Sequence, residues 1–140
     1  MLRRELRVYG TPAPQGSKRA FNNRIVEVSK RVKPWREAIV KAAQSQPYPM
    51  MTKPVVVRIV FFFERPKSHY RTGRNSGLLK DTAPHNHITT PDLDKLVRST
   101  LDGCVQAGMI EDDKLVVTLH ATKRYTDESG GASIVLEETE

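Results

Sequence analysis

The chain has one cysteine, Cys104, in 140 residues. That excludes an intramolecular disulfide and a zinc ribbon or knuckle, and it fits a reducing compartment. No apolar run approaches the roughly 20 residues that cross a bilayer. The start, Met1-Leu2-Arg3-Arg4-Glu5-Leu6, is basic but has no apolar stretch behind it, so it does not read as a signal peptide. Internal repeats, low-complexity tracts and a linker able to split the chain are all missing. With 38% hydrophobic and 28% charged residues, a single globular domain over residues 1–140 is expected.

Acid is also in short supply, with 16 Asp and Glu against 23 Lys and Arg, a net charge of +7. Such an excess points to nucleic acid or another polyanion, although a basic surface that serves solubility has the same composition. Four of the scarce acids nevertheless lie in two short clusters. Asp92 and Asp94 stand in Thr90-Pro91-Asp92-Leu93-Asp94-Lys95, and Asp112 and Asp113 in Glu111-Asp112-Asp113-Lys114. Like charges held close raise each other's pKa and destabilise the site. Either a divalent cation neutralises them, or they are exposed cap and turn residues that repel weakly.

Residues 2–9 read as a first strand and residues 10–17 as a loop of turn formers. The β-prone run in 18–28 fits a short hairpin around Asn22-Asn23. Ser29 is placed to cap a helix that starts near Val32. Pro34 falls in its first turn, Trp35, Ala38, Ile39 and Ala42 form its buried stripe, and Pro47 and Pro49 end it. Residues 55–63, apolar apart from Arg58, read as a central strand covered on both faces. Residues 65–90 have little periodicity and many bases, and are expected to form a mobile basic loop that orders on a substrate. A second helix buries Leu93, Leu96, Val97, Leu101 and Val105 and stops at Gly108. Residues 115–122 alternate as a half-buried strand, and 132–136 form a last strand able to pair with it. This order describes an α+β domain, a small mixed β-sheet packed with two main helices.

Each helical residue turns about 100°, so two residues apart point about 200° away from each other. In extended chain they point the same way. Pro91 favours extended backbone before it. Asp92 is therefore expected at or before a helix start and Asp94 at its cap or in its first turn, where both carboxylates converge and face the positive end of the helix dipole. The same facts allow a plain N-cap, stabilising by roughly 1 kcal/mol. If the strand beginning at Lys114 runs beside the lead-in to Asp92, both clusters lie at one end of the sheet. Three or four carboxylate oxygens would then suit Mg²⁺, which prefers hard octahedral oxygen ligands and keeps several waters. Such an ion activates water and polarises a phosphodiester.

Pro91-Asp92-Leu93-Asp94-Lys95-Leu96, followed by Arg98, Leu101-Asp102, Ala107-Gly108 and Asp112-Asp113, resembles the RusA family of Holliday junction resolvases. Gly10-Thr11-Pro12, Ser17-Lys18-Arg19 and Arg65-Pro66-Lys67 are similar to the looser N-terminal pattern of phage-type members, in which a histidine matching His87 also recurs. The resemblance implies a homodimeric, cytoplasmic endodeoxyribonuclease of bacterial or phage type. It would cut four-way DNA junctions symmetrically in recombination and repair, using Mg²⁺ or Mn²⁺. Carried over by position, Asp92, Asp94 and Asp113 would bind the metal, with Asp112 beside them. The family's essential lysine falls at Arg98, which can hold a phosphate but cannot give up its proton. Lys95 stands where the family often has Asn.

Pro91-Asp92 with Asp112-Asp113-Lys114 also spells the sparse PD-(D/E)xK nuclease pattern, with Lys114 as the positioning base. A catalytically silent branched-DNA-binding module, its acids mere caps, is the rival from another class. Lys18, Arg19, Arg65, Lys67, His87, Lys95 and Arg98 are the candidate DNA contacts. Asp102 is expected to pair with Arg98, four residues before it. Cys104 is expected to be buried and Trp35 to belong to the core.

Overall fold

The computed structural model describes residues 1–16 and 23–140. Strand β1 (Arg3–Tyr9) precedes a long helix α1 (Asn23–Gln44), strand β2 (Val55–Glu64), helix α2 (Leu93–Gln106), strand β3 (Val116–Thr126) and strand β4 (Gly131–Glu138). The four strands form one sheet in the order β1-β4-β2-β3. β4 is antiparallel to both its neighbours, and β3 runs parallel to β2. The α+β class and the mixed sheet with two helices are therefore as expected.

The helices cover one face. Val55, Val57, Ile59 and Phe61 of β2 and Ala132, Ile134 and Leu136 of β4 are buried, together with Trp35, Ile39, Leu96 and Cys104 from the helices. The other face of β2 carries half-buried Val56, Val60 and Phe62 and exposed Arg58. The strand is central, but the expected second cover is absent among the described residues. Two buried polar contacts fix the helix pair: Trp35 Nε1 donates to Thr100 Oγ1 at 3.1 Å, and Ser99 Oγ donates to the Ala13 carbonyl. Arg4, buried on β1, donates to the carbonyls of Ala43 and Gln46 and so occupies the C-terminal end of α1.

Three expectations need correction. The hairpin over 18–28 lies partly outside the described residues, but from Asn23 onward the chain is helical. Ser29 is thus inside α1 rather than at its cap, and Pro34 sits in the helix interior. A mid-helix proline forfeits one backbone bond and ordinarily costs about 3 kcal/mol. Here the buried stripe through Val32, Trp35, Ile39 and Ala43 offsets that cost. The last strand does not pair with β3 but inserts between β1 and β2. β4 is buried along most of its length and needs a neighbour on each side, whereas β3 alternates polar residues and tolerates the edge. The expected basic loop over residues 65–90 contains 3-10 turns at Lys67–His69 and Gly73–Asn75 and an isolated bridge between Tyr70 and Leu79.

Candidate active site

α2 begins as its sequence requires. Asp92 is extended (φ −69°, ψ 140°), and its carbonyl accepts the first helical bond from Leu96 N. Its carboxylate caps no amide. It lies 3.3 Å from Lys95 Nζ, with 56% of the side chain exposed. Asp94 is exposed in the first turn, and Arg98 follows one turn later on the same side, also exposed. The helix ends in a Schellman turn. Gly108 has φ 73°, its amide donates to Val105 O, and Met109 N donates to Cys104 O.

The second cluster sits in a 3-10 turn, Asp113–Leu115, that leads into β3. Asp112 caps it, accepting Lys114 N at 2.9 Å. That bond holds the Asp112 carboxyl below its ordinary pKa. Asp113 is pushed the other way, first by its hydrogen bond with the Asp112 carboxyl and then by burial and by the charges of Asp112 and Asp102. Asp102 does not pair with Arg98 as expected. It meets Arg36 of α1 at 3.1 Å, and the same guanidinium also donates to Gln15.

Within one chain the two clusters do not meet. Asp102, whose charge reaches Asp113, lies ten residues past Asp92, about 15 Å along the helix. β3 starts beside Val55, while its far part, at Lys123, bonds to the carbonyls of Thr89 and Pro91 next to Asp92. The strand that follows Lys114 thus runs toward the lead-in to Asp92 instead of starting there. Among the described residues no three His, Cys, Asp or Glu side chains converge to hold a metal ion.

The basic candidates are dispersed. Lys18 and Arg19 lie outside the described residues. Lys67, Lys95 and Arg98 are exposed. Arg65 is engaged internally: it donates to Pro84 O at 2.8 Å and lies 4.5 Å over the Tyr125 ring. His87 is buried, stacked on Phe63 at 4.4 Å and against Tyr125 at 4.8 Å. Burial first, and then the charge of Lys123, lowers its pKa below the ordinary imidazole value. Sequence reasoning did not single out Lys123 or Tyr125. Their signal was available only as alternation in a strand, where i and i+2 share a face.

A family model for the endodeoxyribonuclease RusA matches residues 9–137, a stretch that contains both acidic clusters. The chain belongs to the RusA endodeoxyribonuclease family. A search of curated proteins finds no match. RusA-family proteins are hydrolases that act on branched DNA junctions in recombination, so endonuclease chemistry follows for this chain. No helix among its described residues is long and apolar enough to cross a membrane.

Proposed function

We propose that this RusA-family protein is a Mg²⁺-dependent resolvase that cuts four-way DNA junctions as a homodimer, each hydrolytic site being built from two subunits. The observation that carries the reading is the uncapped, exposed Asp92 at the start of α2, kept apart from an Asp112–Asp113 pair by the length of the same helix. An isologous twofold contact places a surface of one copy against a different part of the same surface on the other. Two helices in opposite directions then set Asp92 and Asp94 of one copy against Asp112 and Asp113 of the second. β3 is an edge strand, and its Val117 and Leu119 are 60% and 42% exposed, an apolar border that suits such a contact.

The donor set fits a hard cation. All donors are carboxylate oxygens, and the Asp112–Asp113 pair carries a mutual strain that a positive ion relieves. When bound, Mg²⁺ polarises the phosphate and lowers the pKa of water. The chain's own residues have separate roles. Asp92, Asp94 and Asp113 hold the ion, and Asp112 orients Asp113. Arg98, one turn beyond Asp94, binds a phosphate oxygen and has no proton to give up at neutral pH. Lys95, already paired with Asp92, restrains that carboxylate and lends positive charge near the scissile strand. Two identical sites related by a twofold axis match the two equivalent strands of a four-way junction.

The test is cleavage of a synthetic four-way junction, a flap and a linear duplex, with and without Mg²⁺. The junction is cut at paired positions only with the ion. Asp92→Asn, Asp94→Asn and Asp113→Asn each lower the rate by at least roughly 100-fold, beyond the loss expected for a group that merely orients a ligand. Junction binding in chelator persists in all three. Full activity in the three variants contradicts the proposal. Tight binding with no cleavage in any divalent ion would instead favour the silent DNA-binding module.

A further inference from the structure

The approach to Asp92 is pinned by one strand. Lys123 and Tyr125, two residues apart on β3, share a face, and their neighbours across the ladder are Phe61 and Phe63 of β2. Tyr125 is the hub of a ring cluster. His87 packs tilted against it at 4.8 Å, His69 meets it edge-on at 5.1 Å, and the Arg65 guanidinium covers it at 4.5 Å. Each of these partners belongs to the segment between β2 and α2. Lys123 completes the attachment. Its half-buried ammonium donates to Thr89 O at 2.6 Å and to Pro91 O at 2.9 Å, the second being the carbonyl of the peptide joined to Asp92.

We propose that Lys123 is a positioning residue for the acidic site: by bridging the Thr89 and Pro91 carbonyls it holds the backbone that delivers the Asp92 carboxylate. The inference rests on the metal-dependent reading of Asp92, but the clamp itself does not. Asp92 caps no amide of its helix, and its contact with α2 is the exposed pair with Lys95. The placing of its backbone is set by the segment before it, and that segment has no strand or helix of its own next to Asp92. A lysine ammonium has three donors and no acceptor, so two carbonyls at these distances satisfy most of its capacity. Charge-assisted hydrogen bonds of this kind are roughly twice as strong as neutral ones. With two of its three donors on backbone carbonyls, Lys123 is committed chiefly to protein.

The experiment compares wild type, Lys123→Met and Lys123→Arg in three readouts: amide exchange over residues 85–94, junction affinity in chelator, and cleavage as a function of Mg²⁺. Lys123→Met speeds exchange locally while leaving the α1 and β4 amides unchanged. It raises the half-saturating Mg²⁺ concentration by roughly tenfold or more, the usual range for removing a group that orients a metal ligand. Junction affinity in chelator stays within about twofold, because a lost phosphate contact would lower it. Lys123→Arg, which can still donate to both carbonyls, restores most of the Mg²⁺ response. Unchanged local exchange in Lys123→Met overturns the clamp, and so does weakened junction binding at an unaltered Mg²⁺ requirement. If Lys123→Met exchanges everywhere, Lys123→Gln, which keeps one donor, is read in the same way. If the wild-type protein cuts no junction, the nuclease reading fails and the exchange result alone decides the clamp.

Discussion

A carboxylate at a helix N-cap ordinarily turns back onto the amide of the second or third helical residue, and Asp92 does not. Losing a real cap costs about 1 kcal/mol. Asp92→Ala is accordingly expected to change the unfolding free energy by less than about 0.5 kcal/mol while abolishing Mg²⁺-dependent cleavage, a dissociation that thermal melts and junction assays on one sample reveal. Asp112 behaves differently, because it does cap, and its bond to Lys114 N keeps it ionised at the expense of Asp113. A raised Asp113 pKa means that the proton competes with the cation at a higher pH than for a free aspartate. The half-saturating Mg²⁺ concentration should rise as pH falls toward the carboxylate range. Asp112→Asn removes the neighbouring charge and should shift that rise to lower pH, as Mg²⁺ titrations at several pH values will report. Cys104 takes no part: buried and pushed up to about 12, its thiol should resist alkylation until the protein unfolds.

At the scale of elements, α2 is a core helix that also separates the two acidic clusters. It is held to α1 by the bond from Trp35 Nε1 to Thr100 Oγ1, between two buried groups. Thr100→Val keeps the shape but orphans the indole N–H, and chemical denaturation should show a loss of about 1–3 kcal/mol. The segment before α2 has a pH response of its own. Because the folded pKa of His87 lies below its unfolded value, the unfolded chain binds the extra proton. Stability should therefore decline as pH drops below about 6.5, the unperturbed imidazole value, and His87→Phe should flatten that decline in melting curves. The two helices, Gly108 at the end of α2 and the strands β1 and β2 were legible from periodicity and turn chemistry. The start of α1 was not, because Pro34 reads locally as a first-turn residue and only packing carries the helix through it. Nor was the place of β4. Ladder partners are set by which strand must be buried on two sides, and a four-residue turn after β3 gives no hint that β4 crosses to the far side of β2. Asp92 and Asp94 were placed correctly at the head of α2 because Pro91 and helical geometry constrain them. Arg65 and His87 are candidate DNA contacts by composition, which does not reveal that both also pack against Tyr125.

For the whole molecule, the +7 charge and the acidic clusters act at different ranges. The excess of bases draws in a polyanion and makes binding fall steeply with salt. In the proposed reading the aspartates act within a few ångströms, and only once a cation offsets their mutual repulsion. A single copy divides the acids between the two ends of α2, and in the proposed dimer a second copy, turned by a twofold axis, would reunite them twice. This shared-site arrangement is the central claim, and subunit mixing tests it most directly. Asp92→Asn and Asp113→Asn proteins are each expected to be inactive alone. In a mixed dimer both lesions fall in one site, and the other site is wild type throughout. The account predicts that mixing the two inactive proteins restores Mg²⁺-dependent cutting of one strand of a four-way junction. A mixture that exchanges subunits yet leaves every junction intact would contradict it.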